Sequence, residues 1–315
     1  MAETSRQASV ELQLSVRQFV AGSFSASIAG QMASILREVV FPAGKTLYRE
    51  GEAVEHLYLL LDGRVELTTA DEDPWVMTPG AVFGILDAEL GRRYSRDARA
   101  ITDARTLVAR IEDWLDLFED NAELIPKRIE MLAAGVRDYG RRVDPPGGFP
   151  PPEIIPPRAS SMPLSPDGDA RELNPFERLV ALRDCPMLER APTQALIQLA
   201  RVATPRIFRV GETLVSEGQS QEALFVVVSG TLIARGGEPE VHAAFGPSDL
   251  AGGYLGLGQG GWPVALEAAT DGCLLAINYV DLYDVVEDHF QAGRSILAYL
   301  AGERVRLQRL KAPTG

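Results

Sequence analysis

Two stretches of this chain, 167 positions apart, share one pattern of glycines and apolar residues. Residues 41–63 read FPAGKTLYREGEAVEHLYLLLDG and residues 208–230 read FRVGETLVSEGQSQEALFVVVSG, with nine of the 23 aligned positions identical. A repeat whose period is as long as a domain indicates one module present twice, not a solenoid of short units. The same structure is therefore expected to form twice in this chain.

Each copy has the composition of a rolled β-structure. The runs LYLLL (57–61) and LFVVV (224–228) are continuous apolar segments typical of buried strands, and glycines follow where short strands must turn. Helical spacing predicts flanking helices over residues 10–20, 26–39, 111–120, 123–142, 174–185, 193–203 and 280–310. The predicted fold class is α+β, with two β-roll (jelly-roll) domains and flanking helices.

A proline-rich segment separates the two copies. Residues 142–173 contain nine prolines, and much of the remainder is serine, glycine and aspartate. Such a composition buries too little apolar surface to fold alone and favours a semi-rigid linker, with a long surface loop as the alternative. We therefore predict a first domain over 1–141, a linker over 142–173 and a second domain over 174–315.

Charge and cysteine content exclude several classes of protein. The net charge of −13 disfavours nucleic acid or an anionic membrane as the main partner, since both require a basic surface. The chain has two cysteines and no CxxC, which fits a reducing compartment. No signal peptide and no run of 18 apolar residues is found, so we expect a cytoplasmic protein without membrane insertion.

Further motifs in both copies carry a family resemblance. The first copy continues with TPGAVFG (78–84) and ARAITDARTLVAR (98–110), the second with GPSDLAG (246–252) and LEAATDGCLLAI (266–277). Together with the repeat, this pattern resembles the cyclic-nucleotide-binding domain of catabolite activator proteins and cAMP-dependent kinase regulatory subunits. The resemblance implies an eight-stranded jelly roll with a phosphate-binding cassette: a Phe-Gly-Glu turn, a short helix, and an arginine that pairs with the cyclic phosphate.

Both copies depart from that cassette at its polar positions. Ile85 stands where the glutamate is expected, and Gly253 does so in the second copy. Alignment on the residues after the cassette places Tyr94 and Trp262 at the two arginine positions. The candidate pocket residues are Phe83, Gly84, Ile85, Leu86, Arg93, Tyr94, Gly252, Gly253, Tyr254 and Trp262.

The two aromatic residues have two interpretations. Their rings fill the rolls as core, which we favour, or they stack on a flat ligand other than a cyclic nucleotide. In the first copy, a one-residue slip would instead present Arg93 to a phosphate, while the charge of Asp87 would repel one. Loss of a buried charge pair costs about 2–5 kcal/mol, so we expect cyclic nucleotide to bind weakly or not at all, and we expect no other cofactor.

Other candidate sites are weaker. The three histidines lie at unrelated places in the two copies, which disfavours a metal-dependent enzyme of the cupin type. No nucleophile motif is present, and the segment GRRYS (91–95) fits a two-arginine kinase-site pattern ending at Ser95, which short sequences often match by chance. The terminal helical stretch leaves no room for a following DNA-binding domain, so we do not expect a transcription factor.

The sequence therefore favours a non-enzymatic regulatory protein that acts through other proteins or through self-association. A small-molecule sensor, binding chiefly through the first copy, is the main alternative. A kinase-inhibitory subunit is a weaker one, because no docking domain or inhibitor sequence precedes the first copy.

Overall fold

The computed structural model describes residues 26–70, 72–140, 173–220, 222–236, 241–252, 257, 261–262 and 264–309 of the chain. The chain packs as two compact units that divide between Asn121 and Ala122. Each unit contains one β-roll-like arrangement of antiparallel sheets with helices beside it, which confirms the α+β fold class.

Unit 1 contains three described helices and eight described strands. Its helices are α1 (Ala26–Ile35), α2 (Ile85–Leu90) and α3 (Ile111–Asp120). Its strands are β1 (Arg37–Phe41), β2 (Thr46–Tyr48), β3 (His56–Asp62), β4 (Val65–Thr68), β5 (Trp75–Met77), β6 (Val82–Phe83), β7 (Asp97–Ala100) and β8 (Ala104–Arg110). They form two four-stranded sheets, in the orders β1-β8-β3-β6 and β2-β7-β4-β5.

Unit 2 repeats this arrangement among its described residues. Its helices are α4 (Leu124–Gly140), α5 (Pro175–Arg183), α6 (Thr193–Val202), α7 (Tyr279–Asp288) and α8 (Phe290–Arg309), with a 3₁₀ turn at Pro186–Leu188. Its strands are β9 (Thr204–Phe208), β10 (Thr213–Val215), β11 (Ala223–Ser229), β12 (Leu232–Arg235), β13 (Val241–Phe245), β14 (Leu250–Ala251), β15 (Ala265–Ala268) and β16 (Gly272–Asn278). The sheet orders are β9-β16-β11-β14 and β10-β15-β12-β13, the same as in unit 1.

The apolar runs found in the sequence are the central strands of the two rolls. Leu57 to Leu60 of β3 are all buried, as are six consecutive residues of β11 from Ala223 to Val228. Burial on both faces explains why these strands read as continuous rather than alternating apolar runs. The strand prediction for both segments is confirmed.

The turns that close these strands are also equivalent. Gly63 follows β3 with φ 85° and Gly230 follows β11 with φ 79°, a region that side chains rarely adopt. A Cβ atom at either position would collide with the backbone of the opposite turn, at Asp103 or Asp271. The conserved spacing of these two glycines within the repeat therefore has a steric cause.

Two of the predicted helices differ from those in the structure, and a third lies where the structure is not described. The predicted helix 26–39 ends at Ile35, because residues 37–41 pair with β8 at the edge of a sheet. The predicted helix 280–310 is two helices that break at His289. The predicted helix 10–20 lies outside the described residues.

Helix α4 packs differently from the sequence-based assignment to the first domain. It lies in unit 2, against α8, where Gly293 leaves space for the side chain of Ile125. Its apolar face predicts a packing partner, but periodicity does not say which one. The domain boundaries at 141 and 173 remain a prediction, since the linker lies almost wholly outside the described residues.

Candidate functional site

The candidate site of unit 1 lies between β6 and β7. Phe83 ends β6, Gly84 turns the chain with φ 85°, and helix α2 then runs from Ile85 to Leu90. Phe83 and Ile85 are buried, and Leu86 is half-buried. This local structure agrees with the turn and short helix expected from the resemblance.

Tyr94 lies in the hydrophobic core of the roll. Its side chain is 3% exposed, and its ring stacks on Tyr48 with ring centroids 3.7 Å apart and an angle of 11° between the planes. Tyr58 and Phe83 form a second stacked pair with centroids 5.1 Å apart, and Tyr48 and Tyr58 lie 5.6 Å apart. The core interpretation of Tyr94 agrees with this packing.

The Tyr94 hydroxyl is anchored to the backbone of β3. It donates to the carbonyl oxygen of His56 at 2.6 Å and accepts from the N–H of the same residue at 3.2 Å. Burial raises the pKa of Tyr94, which keeps the phenol protonated and able to donate at neutral pH. The Tyr94 backbone also pairs with the loop after β2, through Gly51 and Glu52. Both ends of this residue are therefore fixed.

Asp87 is engaged by groups of its own chain. Its carboxylate accepts from Arg92 Nε at 2.7 Å and from the backbone N–H of Ser95 at 3.1 Å, and the side chain of Asp87 is 12% exposed. Charge-assisted hydrogen bonds of this kind are stronger than neutral ones. The sequence predicted the negative charge beside the cassette but not the partners that balance it.

The other nearby arginines also have described partners. Arg93 is exposed and donates to the carbonyl oxygen of Gly51 at 2.9 Å. Arg96 is buried, pairs with Glu72, and stacks over the Trp75 ring with its guanidinium carbon 3.8 Å from the centroid. In this structure the Arg93 side chain is thus directed to a loop carbonyl.

Trp262 takes the equivalent position in unit 2. It is 1% exposed, and its backbone pairs with Gly218 and Gln219 as Tyr94 pairs with Gly51 and Glu52. The six-membered ring of the indole lies directly over Gly252, where any Cβ atom would overlap it. Within the described residues, the indole N–H has no hydrogen-bond partner.

The sequence-predicted pocket residues are therefore brought together only in part. In unit 1, the Tyr94 ring lies against Gly84 and in the same core cluster as Phe83. In unit 2, the Trp262 ring packs against Gly252. Gly253 and Tyr254 lie outside the described residues. Sequence reasoning missed Tyr48, Tyr58 and His56, although strand alternation would have pointed Tyr48 and Tyr58 into the roll.

Across the parts of the chain that the structure describes, no group of three or more histidine, cysteine, aspartate or glutamate residues could hold a metal ion. Among the same residues, no helix is long and apolar enough to cross a membrane.

The unit 1 roll, with its short helix between β6 and β7, has a counterpart among known families. Residues 38–121 match the family model of the cyclic nucleotide-binding domain. The match extends from the second residue of β1 to the residue after α3, so it covers the roll of unit 1 apart from Arg37. No curated protein matches the chain.

Solved structures similar to this chain include three protein kinase A regulatory proteins. The regulatory domain of Toxoplasma gondii protein kinase A with cAMP is 14% identical, with coverage of 94% of this chain and 97% of that one and a TM-score of 0.35. The regulatory subunit of a cAMP-independent protein kinase A from Trypanosoma brucei is 15% identical over 92% and 87%, with a TM-score of 0.33. One from Trypanosoma cruzi, bound to guanosine, is 14% identical over 88% and 86%, with a TM-score of 0.34.

Proposed function

We propose that this protein is a non-enzymatic, cytoplasmic regulatory protein with two cyclic-nucleotide-binding-like domains in tandem. Both cassettes are divergent, and the protein acts through contacts with other proteins or with a second copy of itself. The observation that carries the proposal is the burial of Tyr94 and Trp262 at equivalent positions inside the two rolls.

In unit 1, a ligand that entered the roll would first have to displace the Tyr94 ring. That ring has its stacking partner Tyr48 and two hydrogen bonds to His56. Removing a buried aromatic side chain from a core typically costs about 3–5 kcal/mol. If displacement costs a similar amount, only a small fraction of molecules is open, and apparent affinity falls by roughly a hundredfold to a thousandfold or more.

In unit 2, the same argument rests on Trp262 and Gly252. The indole is fully buried, and the glycine beneath it allows the ring to lie against the backbone. Close packing of this kind fills the space that a ligand would need. The two units thus exclude ligands by the same means, with different side chains.

With Tyr94 and Trp262 buried in the two rolls, regulation by surface contact is the function that the geometry favours. The pKa values of Tyr48 and Tyr58 in unit 1 are raised chiefly by burial, which keeps both phenols protonated at neutral pH. The acidic balance of the chain, with a net charge of −13, favours partners with basic surfaces.

The first experiment tests ligand binding directly. Calorimetric titration of the full chain with cAMP, cGMP and cyclic dinucleotides is expected to give no heat of binding up to millimolar ligand. A micromolar dissociation constant for any of them would overturn the proposal. The matched variant Tyr94→Ala separates the causes, because a gain of binding would identify the ring as the barrier.

The second experiment tests the protein contacts. Affinity capture from cell extract and light scattering of the purified chain are expected to yield a reproducible protein partner or a stable self-associated form. If the chain remains monomeric and captures no partner, and the cyclic-nucleotide titration is also flat, the proposal is rejected.

A sensor for cyclic nucleotide or another small ligand, acting through unit 1, is the second candidate. It is favoured by the family match over residues 38–121. The same titration decides between the two candidates, since the sensor requires binding by the unaltered chain.

A further inference from the structure

A closed set of polar contacts lies beside the Tyr94 ring in unit 1. Arg92, Ser95 and Asp87 are joined by four side-chain or backbone hydrogen bonds, and Asp87 is 8% exposed as a residue. We propose that Arg92 and Ser95 form an oxyanion-binding site that the carboxylate of Asp87 occupies from within the chain. This inference rests on the proposed function, since it explains how the roll stays closed without an external anion.

The geometry around the carboxylate is that of a bound anion. One oxygen, Oδ1, accepts from Arg92 Nε at 2.7 Å. The other, Oδ2, accepts from the backbone N–H of Ser95 at 3.1 Å and from the Ser95 hydroxyl at 3.2 Å. Arg92 Nη2 in turn donates to the Ser95 hydroxyl at 3.2 Å, so the donors are held relative to one another as well as to the carboxylate.

The donors are of the kinds that recognise oxyanions. A guanidinium, a backbone N–H and a hydroxyl together match the oxygens of a phosphate, a sulfate or a carboxylate. The arginine comes from the loop after α2, and the serine follows Tyr94 directly. The anion therefore sits where it can hold the loop and the buried ring in place together.

Asp87 supplies the anion at a short distance along the chain. The backbone N–H of Arg92 also donates to the Asp87 carbonyl at 3.1 Å, which keeps the loop folded back over α2. An intramolecular ligand has a high effective concentration, and an external anion would meet the like charge of Asp87 before it reached the donors. The charge of Asp87 is also a minor cause, after burial, of the raised pKa values of Tyr48 and Tyr94.

The test removes the internal anion and asks whether an external one replaces it. Asp87→Ala is expected to bind inorganic phosphate or sulfate at least about tenfold more tightly than the unaltered chain at neutral pH, measured by calorimetry. The double variant Asp87→Ala with Arg92→Gln is expected to lose this gain. Asp116→Ala, which removes an exposed carboxylate from α3, controls for the change in net charge and is expected to behave as the unaltered chain.

Three results would overturn the inference: no gain in Asp87→Ala, an equal gain in Asp116→Ala, or retention of the gain without Arg92. If Asp87→Ala does not fold, the single variant Arg92→Gln tests the site instead. Hydrogen exchange at the Ser95 amide of that variant should be about tenfold faster or more than in the unaltered chain, and an unchanged exchange rate would reject the site. Failure here is distinct from failure of the proposed function, which is judged by cyclic-nucleotide titration of the unaltered chain.

Discussion

Replacing Tyr94 with phenylalanine removes one oxygen atom from the core of unit 1 and leaves the ring in place. The lost atom donates to the His56 carbonyl at 2.6 Å and accepts from the His56 N–H at 3.2 Å. The ring stack with Tyr48 requires no hydroxyl and should persist. The variant therefore removes the two hydrogen bonds that fix the ring to β3, together with the hydrogen bond between the Tyr58 and Tyr94 hydroxyls.

The expected cost follows from the partners that remain. Leaving a buried donor or acceptor unsatisfied costs about 1–3 kcal/mol, and both His56 groups lose the same partner. Because the site is only partly buried, we expect a loss of about 2 kcal/mol in the free energy of unfolding. That corresponds to roughly a 30-fold drop in the ratio of folded to unfolded unit 1.

The assay is urea unfolding followed by tryptophan fluorescence. Trp75 and Trp114 lie in unit 1, so a Trp262→Phe background limits the signal to that unit. With a slope of about 1–3 kcal/mol per molar urea, the midpoint should fall by about 1 M with the slope unchanged.

Tyr48→Phe is the matched control for this prediction. It removes a phenol hydroxyl from the same stack, and the described residues offer that hydroxyl no hydrogen bond. Its stability should be nearly unchanged, because the ring stack with Tyr94 persists without the hydroxyl. Equal midpoints for Tyr94→Phe and Tyr48→Phe would refute the reasoning, because the two bonds to His56 would then contribute nothing.

The remaining predictions concern unit 2. Gly252→Ala should severely destabilise unit 2, because the new methyl group overlaps the Trp262 ring. The loss in the free energy of unfolding, measured by chemical unfolding, should be markedly smaller in a Trp262→Ala background. Equal losses in the two backgrounds would contradict the contact. Asn174→Ala should cost about 1 kcal/mol, because it removes the capping box of α5, and a thermal melt without any shift would exclude that role. Glu212 and Asp271 have pKa values lowered chiefly by backbone N–H hydrogen bonds, so they stabilise the fold above their ordinary values of 4.5 and 3.8. This stabilisation should disappear as pH falls through the lowered values, and melting temperature against pH should show a smaller acid loss for Asp271→Asn.

Tyr94 and Asp87 show which features of the site could be predicted from the local sequence and which could not. Alignment with the resembled family, anchored on the residues after the cassette, placed Tyr94 where a ligand-binding arginine was expected, and the structure buries Tyr94. Its hydrogen-bond partner, His56, is 38 residues away in sequence and uses backbone atoms. Every residue has a backbone carbonyl, so the residue type at position 56 could not predict this contact. Asp87 was predicted as a repelling charge, yet its partners Arg92 and Ser95 make it a fixed anion within the fold.

Helix α4 makes the same point for packing. Its periodicity predicts a helix with one apolar face, and the structure has that helix at Leu124–Gly140. Whether that face meets the strands before it or helix α8 depends on shape, including the space that Gly293 leaves for Ile125.

The sequence alone predicted one module present twice, central strands buried on both faces, and aromatic residues at the two positions where the family resemblance implies an arginine. These features depend only on the order of residues along the chain, which determines periodicity, glycine spacing and the alignment between copies. Only the tertiary structure decided that Tyr94 and Trp262 are buried, that Asp87 is held by its own loop, and that α4 packs within unit 2. Those outcomes depend on which backbone and side-chain atoms meet across long separations, and burial and hydrogen bonding act on that geometry rather than on order in the chain.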